Sequence, residues 1–307
     1  MKMRNSDRFG QVLTKFRGLT TIGVANITSN LISGLFWLYL ARLLGTTNYG
    51  EVSYLIAAAG IATVISFLGS GNVLLVYPAK GIKIQSTIYS VALFASIISS
   101  VILFVIFQNI GISLFVIGNV IFGLVTNELI GSKQYKKYSV YMISQKILAA
   151  ALALTLNYFI GHGGIILGLA ISLFISSNHV FHIFREYKIE FSLLKMRLGF
   201  IMNSYIMDIA RAFSTTLDKL IVAPLLGFAL LGNYQLGVQF LSLLGIIPGI
   251  VYQYLLPHDS EGNPNLKLKK YTTLFSALLA ILGFFLAPLF LPKIFPKYTA
   301  IAGIWRY

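Results

Sequence analysis

Apolar stretches long enough to cross a lipid bilayer follow one another along most of this 307-residue sequence. A hydrocarbon core of about 30 Å requires about 20 apolar residues in a helix. Such stretches cover residues 20–44, 52–77, 86–107, 111–130, 140–160, 164–184, 201–226, 234–256 and 271–291, and a tenth begins near Thr299. Only helices or closed barrels can span a membrane. These stretches lack the strict alternation of apolar and polar residues that barrel strands show. The sequence therefore predicts an all-α, polytopic membrane helix bundle.

The composition agrees with this class and excludes several others. Hydrophobic residues make up 57% of the chain and charged residues only 11%, whereas soluble domains contain about 25% charged residues. The chain has no cysteine, which excludes disulfides and thiolate chemistry. Its first apolar stretch is long and directly followed by another, as in a retained anchor and not in a cleaved signal.

The basic residues indicate an orientation in the membrane. The net charge is +15, which in a membrane chain reflects its loops and does not indicate a nucleic-acid partner. With loops assigned alternately, one side holds Lys2, Arg4, Arg8, Lys15, Arg17, Lys80, Lys83, Lys133, Lys136, Lys137, Arg185, Lys188, Lys195, Arg197, Lys267, Lys269 and Lys270. The other side holds only Arg42, Lys293 and Lys297. The positive-inside rule then predicts a multi-pass cell-membrane protein with a cytoplasmic N-terminus.

The apolar spacing within residues 6–19 predicts an interfacial amphipathic helix, so residues 1–19 form a first segment. An internal repeat divides the remainder. The repeat pairs the string Ala41-Arg42-Leu43-Leu44-Gly45 with Ala223-Pro224-Leu225-Leu226-Gly227. The offset is 182 residues between Gly45 and Gly227, and 185 residues between the tyrosines that follow, Tyr49 and Tyr234. We expect a six-helix lobe over residues 20–199 and a second lobe, truncated, over residues 200–307. By this repeat, roughly 70–100 residues would follow Tyr307 in a longer protein.

A row of polar residues in the seventh stretch constrains the function most. Ser204, Asp208, Arg211, Thr215 and Asp218 share one helical face, and Lys219 adjoins it. A charge near the bilayer centre costs about 2.5–3.5 kcal/mol on insertion scales, so these residues must face other helices or a wet cavity. Asp208 and Arg211 could simply neutralise each other. The extent of the row over more than two turns favours a path for a charged substrate.

Further polar residues mark other helices. Asn26, Asn30, Ser33 and Trp37 share a face of the first helix, where they could contact sugar hydroxyls and stack on a sugar ring. The small residues there, Ser33 and Gly34, could equally serve close helix packing.

Isolated charges lie on two other helices. Lys146 lies in the fifth helix, and Glu128 lies near the cytoplasmic end of the fourth, where we expect it to reach the membrane surface. His179 and His182 share a helical face without a third ligand nearby, which indicates a structural pair and not a zinc site. The sequence predicts neither a metal nor a cofactor.

The string Ala41-Arg42-Leu43-Leu44-Gly45-Thr46-Thr47-Asn48-Tyr49-Gly50 resembles the Ala-Arg-x-Leu-Gly-x-x-x-Tyr-Gly signature of the polysaccharide-transporter flippases. These belong to the multidrug, oligosaccharidyl-lipid and polysaccharide exporter superfamily. Leu217-Asp218-Lys219, Leu226-Gly227 and Gly232-Asn233-Tyr234 are similar to the seventh-helix pattern of that family. Phe295-Pro296-Lys297-Tyr298 departs from the Phe-Gly-x-x-Tyr that the family more often has.

The resemblance implies translocation of a lipid-linked oligosaccharide on an undecaprenyl or dolichyl (di)phosphate carrier, with membrane lipids as further partners. Arg211, Lys219 and Lys146 would then hold the phosphate groups, because guanidinium and ammonium groups bind them well. Asp208, Asp218 and Glu128 would balance charge or couple transport to an ion. Related drug exporters often use a first-helix acid, which this chain lacks, so the coupling ion stays open. The prolines at 224, 248 and 288 could be hinges or simple bends.

Three other functions remain as alternatives. A cation-coupled drug or metabolite exporter of the same superfamily would use the same fold with a less charged cavity. A polytopic glycosyltransferase, ligase or polymerase would require surface carboxylates or a metal, but the outer loops offer only Glu51. Asp259 and Glu261 have no partner cluster in the sequence. A structural scaffold is disfavoured by the intramembrane charges.

Overall fold

The computed structural model describes the backbone of residues 5–246, 248, 270–271, 273–278, 281, 285 and 293–298, and side chains from residue 20 onwards. Within residues 5–246 the chain forms helices without strands. They are α1 Asn5–Phe67, α2 Ser70–Val76, α3 Gln85–Phe107, α4 Ile110–Gly131, α5 Tyr135–Ile160, α6 Gly163–Leu173, α7 Ser177–Glu186, α8 Phe191–Lys195, α9 Leu198–Leu226 and α10 Phe228–Leu244. Short 3-10 turns cover Pro78–Lys80 and Phe174–Ser176.

Five helical stretches of the described chain are long and apolar enough to cross a membrane: Thr20–Phe67, Gln85–Phe107, Ile110–Gly131, Tyr135–Ile160 and Gly163–Glu186. The predicted all-α membrane architecture is therefore confirmed. The expected span at 201–226 is a continuous helix, α9, and α10 is a shorter apolar helix. The expected spans at 271–291 and from Thr299, the end of the span at 234–256, and Asp259 and Glu261 lie largely or wholly outside the described residues.

The distribution of apolar side chains on α3 is that of a helix in lipid. Phe94, Val101 and Val105 are exposed at 68%, 57% and 64% of their surfaces, whereas Ser96 and Ser100 are buried. Ser100 and Ser113 of α4 each donate a hydrogen bond to the other's backbone carbonyl, both at 3.0 Å. Small hydroxyl residues thus join the two helices while the large apolar side chains point outwards, as in membrane bundles.

The chain divides into two compact units. Unit 1 comprises Met1–Ala25 and Tyr54–Ile221, and unit 2 comprises Asn26–Ser53 and Val222–Tyr307. In unit 1, Leu74, Ile88, Leu124 and Leu129 belong to one buried cluster of the core. In unit 2, the corresponding cluster contains Ala41, Tyr49, Leu236, Phe295 and Tyr298. The lobe boundaries expected from the repeat, 20–199 and 200–307, stay a prediction.

Two connections between predicted spans, residues 45–51 between the first two spans and residues 227–233 after the seventh, are shorter than the apolar stretches indicated. Helical backbone resumes directly after Gly45 within α1, and α10 begins directly after Gly227. Gly45 has φ of 75° and Gly227 has φ of 85°. Side-chain-bearing residues rarely adopt such angles, so a single glycine reverses the chain at each place. The expectation of loops of several residues was wrong because the glycines complete both turns alone.

The prediction of one uninterrupted span over residues 52–77 was also wrong. The first part of that span ends at Phe67, and α2 begins at Ser70. Leu68 and Gly69 both have positive φ, at 49° and 75°. A Cβ atom on Gly69 would collide with the carbonyl oxygen of Ile201 in α9. The break therefore brings the backbone of α9 against this glycine.

The N-terminal segment is helical from Asn5 and continues without interruption into the first span. The side chains of residues 1–19 lie outside the described part, so an amphipathic segment on the membrane surface stays a prediction.

Candidate functional site

Unit 2 contains a cavity of about 370 Å³ between the first span and the end of α10. This volume lies near the lower end of small-molecule sites, roughly 300–1,000 Å³. Its lining residues are Asn26, Ile27, Asn30, Ser33, Gly34, Trp37, Gln239, Ser242, Leu243, Gly245 and Ile246. The structure thus brings together every member of the polar face predicted on the first helix.

The described residues that line this cavity make it polar but uncharged. Asn26, Asn30 and Gln239 offer amide donors and acceptors, Ser33 offers a hydroxyl, and Trp37 offers an aromatic ring. No side-chain hydrogen bond joins Asn30 or Gln239 to another described residue, although the backbone of each lies within a helix. Amides that also face an aromatic ring can bind the hydroxyls and the apolar face of a sugar.

Two polar residues of the cavity, Gln239 and Ser242, were not predicted from the sequence. They lie three positions apart on α10 and so share a helical face, which is the signal that identified Asn26 and Asn30. Gly34 serves packing, since a Cβ atom there would collide with the side chain of Leu243. One of the two roles considered for this residue, close helix contact, therefore fits the structure.

The charged row of α9 belongs to unit 1. Ser204 is buried, Asp208 and Asp218 are half-buried, and Arg211 and Thr215 are exposed. The charges of Asp208 and Arg211 interact, and the Thr215 hydroxyl donates to the Arg211 backbone carbonyl at 3.0 Å. The guanidinium of Arg211 therefore lies at an accessible surface of the unit instead of in a filled interior.

The two lysines proposed for phosphate binding also belong to unit 1. Lys146 of α5 and Lys219 of α9 are half-buried, and the Lys219 ammonium group lies 3.5 Å from the Thr215 carbonyl oxygen. Neither lysine lines the unit 2 cavity, and the same holds for Arg211, Asp208 and Asp218. The structure thus groups the predicted neutral residues in one cavity and the charged residues on the helices of unit 1.

Glu128 is placed differently from the expectation. It is only 2% exposed, so the prediction that its carboxylate reaches the membrane surface was wrong. Its Oε1 accepts a hydrogen bond from the Ser132 hydroxyl, and its Oε2 lies 2.8 Å from Nε2 of His179 on α7. A buried carboxylate with two hydrogen-bond partners does not need to reach water.

His179 therefore pairs with Glu128, and His182 is exposed. In the described part of the chain, no group of three or more histidine, cysteine, aspartate or glutamate residues could hold a metal ion. Beside this pair, burial and then a hydrogen bond to Glu186 raise the pKa of Tyr187 to about 12, with further contributions from the charges of Glu186 and Glu128. The Tyr187 phenol consequently stays neutral near pH 7.

Apolar helices of membrane-spanning length and a polar cavity among them define a multi-pass membrane protein. The comparison with known families is more specific. The family model described as polysaccharide biosynthesis protein matches residues 39–303. The chain belongs to this family, as the resemblance of residues 41–50 to a family signature indicated.

The chain was also compared with curated proteins and with solved structures. No curated protein matches the chain in sequence. Among solved structures, the chain is similar to a MOP superfamily transporter from Pyrococcus furiosus Vc1 (DSM3638), with 15% identity, a TM-score of 0.46, and coverage of 90% of this chain and 72% of that one.

Proposed function

We propose that this protein is a flippase that moves a polyprenyl-(di)phosphate-linked oligosaccharide from the cytoplasmic to the outer leaflet for surface polysaccharide or glycan assembly. The observation that carries the proposal is the unit 2 cavity, where Asn30 and Trp37 of the first span meet Gln239 of α10. A sugar can cross hydrocarbon only if its hydroxyls find partners on the way, since each unpaired polar group costs several kcal/mol in lipid.

The charged residues of unit 1 extend the proposal to the carrier phosphate. Arg211 is exposed and can offer a bidentate guanidinium, while Lys219 and Lys146 supply compact positive charges. Asp208 and Asp218 would keep the empty phosphate site near electrical neutrality. We propose alternating access of the two predicted lobes as the mechanism, with no chemical change in the substrate.

Reconstitution tests the proposal directly. The test uses liposomes that contain the protein and a fluorescent undecaprenyl-diphosphate-linked oligosaccharide. A glycosidase added outside cleaves only the sugar in the outer leaflet, so flipping of inner-leaflet glycolipid raises the fraction of sugar that is cleaved. Trp37→Ala and Gln239→Ala should each slow flipping at least about tenfold, the equivalent of 1.4 kcal/mol. Leu35→Ala is the matched control, because Leu35 lies on the same helix, is 65% exposed and does not line the cavity.

Two results would contradict the proposal: no effect of the wild-type protein on sugar accessibility, or wild-type flipping by both cavity variants. The neutral lining of the cavity also fits the second candidate, a cation-coupled exporter of drugs or metabolites. Efflux of an amphiphilic dye from the same liposomes, without any flipping of the glycolipid, would favour that function.

A further inference from the structure

The connection between α7 and α9, which contains α8, carries large apolar side chains on its surface. Ile189, Phe191 and Met196 are exposed at 48%, 59% and 79% of their surfaces. A connection surrounded by water is normally polar, because exposed apolar surface has a free-energy cost of roughly 25 cal/mol per Å². These three side chains are therefore suited to contact with the apolar part of a lipid layer.

Two lysines lie among these apolar side chains. Lys188 lies two residues after the end of α7, and Lys195 is the last residue of α8. Both side chains are exposed, and neither ammonium group has a hydrogen-bond or ion-pair partner among the described residues. Residues 185–197 hold four basic and two acidic side chains, and so a net charge of +2. Apolar side chains interspersed with lysines are typical of segments that lie on an anionic membrane surface.

The opposite side of α8 is fixed to unit 1. Leu193 and Leu194 pack against the buried cluster of that unit. The backbone N–H of Glu190 donates to the Thr87 hydroxyl oxygen at 2.9 Å. Thr87 lies in the first turn of α3, a helix of membrane-spanning length. The connection is therefore held at the level where α3 begins, which is the level of the lipid headgroups.

Two cation–π contacts hold the ends of the connection in place. The Lys83 ammonium group lies 5.8 Å from the centroid of the Tyr187 ring, and the Arg197 guanidinium lies 5.0 Å from that of Tyr77. Arg197 also donates to the Leu193 carbonyl at 2.8 Å. Both cations are thus engaged within the protein, in contrast to the two lysines on the outer side of α8.

We propose that this outer side, the α8 surface formed by Lys188, Phe191, Lys195 and Met196, binds anionic phospholipid headgroups. The two ammonium groups contact headgroup phosphates, while Phe191 and Met196 enter the acyl-chain layer just below. Charge complementarity selects the lipid, because anionic headgroups attract lysines near the membrane and zwitterionic ones carry no net charge. By the positive-inside rule, the leaflet concerned is the cytoplasmic one.

The competing explanation is that these lysines only orient the chain in the membrane. Orientation depends on how many positive charges one side carries, whereas a binding site depends on where they lie. Lys136 and Lys137 at the start of α5 are exposed and lie on the same predicted side. The double variants Lys188→Gln/Lys195→Gln and Lys136→Gln/Lys137→Gln remove two charges each, so the second is a matched control for the first.

The test uses the full-length protein in nanodiscs of phosphatidylcholine with an increasing fraction of phosphatidylglycerol. Because the chain has no cysteine, Ser192→Cys in α8, at an exposed position, offers one attachment site for a fluorophore. Phosphatidylglycerol with brominated acyl chains should quench this fluorophore more than the same fraction of brominated phosphatidylcholine. Lys188→Gln/Lys195→Gln should raise the phosphatidylglycerol fraction for half-maximal quenching at least about fivefold. Lys136→Gln/Lys137→Gln should leave this fraction unchanged.

Three results would overturn the proposal. They are equal quenching by the two brominated lipids before any lysine is changed, a preference that survives in Lys188→Gln/Lys195→Gln, and an equal loss of preference in both double variants. Undecaprenyl diphosphate tests the other source of phosphate. Its failure to displace phosphatidylglycerol at an equal fraction supports a phospholipid site, whereas displacement would assign the α8 surface to a transported lipid and overturn the proposal. Flipping is not measured, so the outcome does not depend on the proposed function.

Discussion

At the scale of single residues, the polar side chains fall into two groups. Asn119 and Thr126 of α4 donate to backbone carbonyls four positions earlier, at 3.0 and 2.9 Å. Such side chains are satisfied within their own helix and require no ligand. Asn30 and Gln239 instead face the unit 2 cavity and have no such bond within the described residues. Their amides are the ones available to a substrate.

One residue-scale prediction concerns Tyr298, whose hydroxyl donates to the Ala41 carbonyl at 2.9 Å. Burial, and then the neighbouring Tyr49 phenol, raise the pKa of Tyr298 above its ordinary value of 10.0. Tyr298→Phe should lower the free energy of unfolding by about 1 kcal/mol at pH 8. Thermal unfolding in detergent measures this change, and Tyr39→Phe, at an exposed position, should leave stability unchanged.

The same variant carries a pH dependence with a defined sign. Because folding raises the pKa of Tyr298, its stabilising effect is complete below pH about 10 and is lost as the pH rises beyond that value. The stability difference between wild type and Tyr298→Phe should therefore shrink above pH about 10. A difference that stays constant up to pH 11 would show that Tyr298 ionises as freely in the folded protein as in water.

Arg211 supports a second residue-scale prediction. Its guanidinium is exposed, and its partner Asp208 is half-buried. Arg211→Ala should abolish glycolipid flipping and leave membrane insertion intact, because a phosphate-binding donor is lost without a change in the core. Arg185→Ala, at an exposed position on α7, is the control. Wild-type flipping by Arg211→Ala would remove this residue from the substrate path.

The sequence identified cavity residues where helical spacing alone was sufficient. Asn26, Asn30 and Trp37 recur on one face of one helix, so their grouping was predictable. Glu128 was misplaced because its partner, His179, lies 51 positions away. Periodicity within one helix carries no information about contacts between helices. Gln239 differs, because its spacing from Ser242 on α10 was a signal that could have identified it.

At the scale of elements, the two glycine turns of unit 2 contact each other reciprocally. A Cβ atom on Gly50 would collide with the Phe228 carbonyl oxygen, and one on Gly232 would collide with that of Thr46. Both pairs, Thr46 with Phe228 and Gly50 with Gly232, differ by 182 positions, the offset of the glycine motif. Reciprocal contacts of this kind are typical of two-fold related segments. They support the proposed repeat and favour the offset of 182 over the tyrosine offset of 185.

These contacts predict that the loss of stability on substitution by alanine differs strongly from one glycine to another. Gly50→Ala and Gly232→Ala should each lower stability by about 1–3 kcal/mol, because a methyl group meets rigid backbone. Gly60→Ala in α1 and Gly237→Ala in α10 are matched controls, since a Cβ atom there meets nothing within 4 Å. The controls should leave unfolding temperatures unchanged or slightly raised. Equal unfolding temperatures for all four variants would contradict the close packing of the two turns.

The elements were easier to predict than their ends. Helix lengths follow from the thickness of the membrane, so most spans were found from apolar windows. The break after Phe67 was missed because it depends on the approach of α9 to Gly69, a contact between distant parts of the sequence. The turn lengths were missed because glycine permits a reversal at a single residue.

At the scale of the whole molecule, large apolar side chains lie on the surface as well as in the core. Exposed side chains on α3 are large and apolar, and serines fill its contacts with α4. The apolar surface leaves the chain dependent on lipid, while polar residues on the inside are free for packing or transport. Which side of the membrane each connection faces is predicted from the basic residues alone, so the orientation is the property most open to a direct test.

The lack of cysteine makes that test simple, because the wild-type chain is its own unreactive background. Single cysteines at Lys136 and Lys188, both exposed, should react with a membrane-impermeant maleimide only after the cells are permeabilised. A cysteine at His162, in the exposed turn before α6, should react in intact cells. This pattern follows from the positive-inside rule, since the connections around Lys136 and Lys188 carry lysines and arginines and the turn at His162 carries none. The opposite pattern would invert the orientation, and with it the direction in which the proposed flippase presents its substrate.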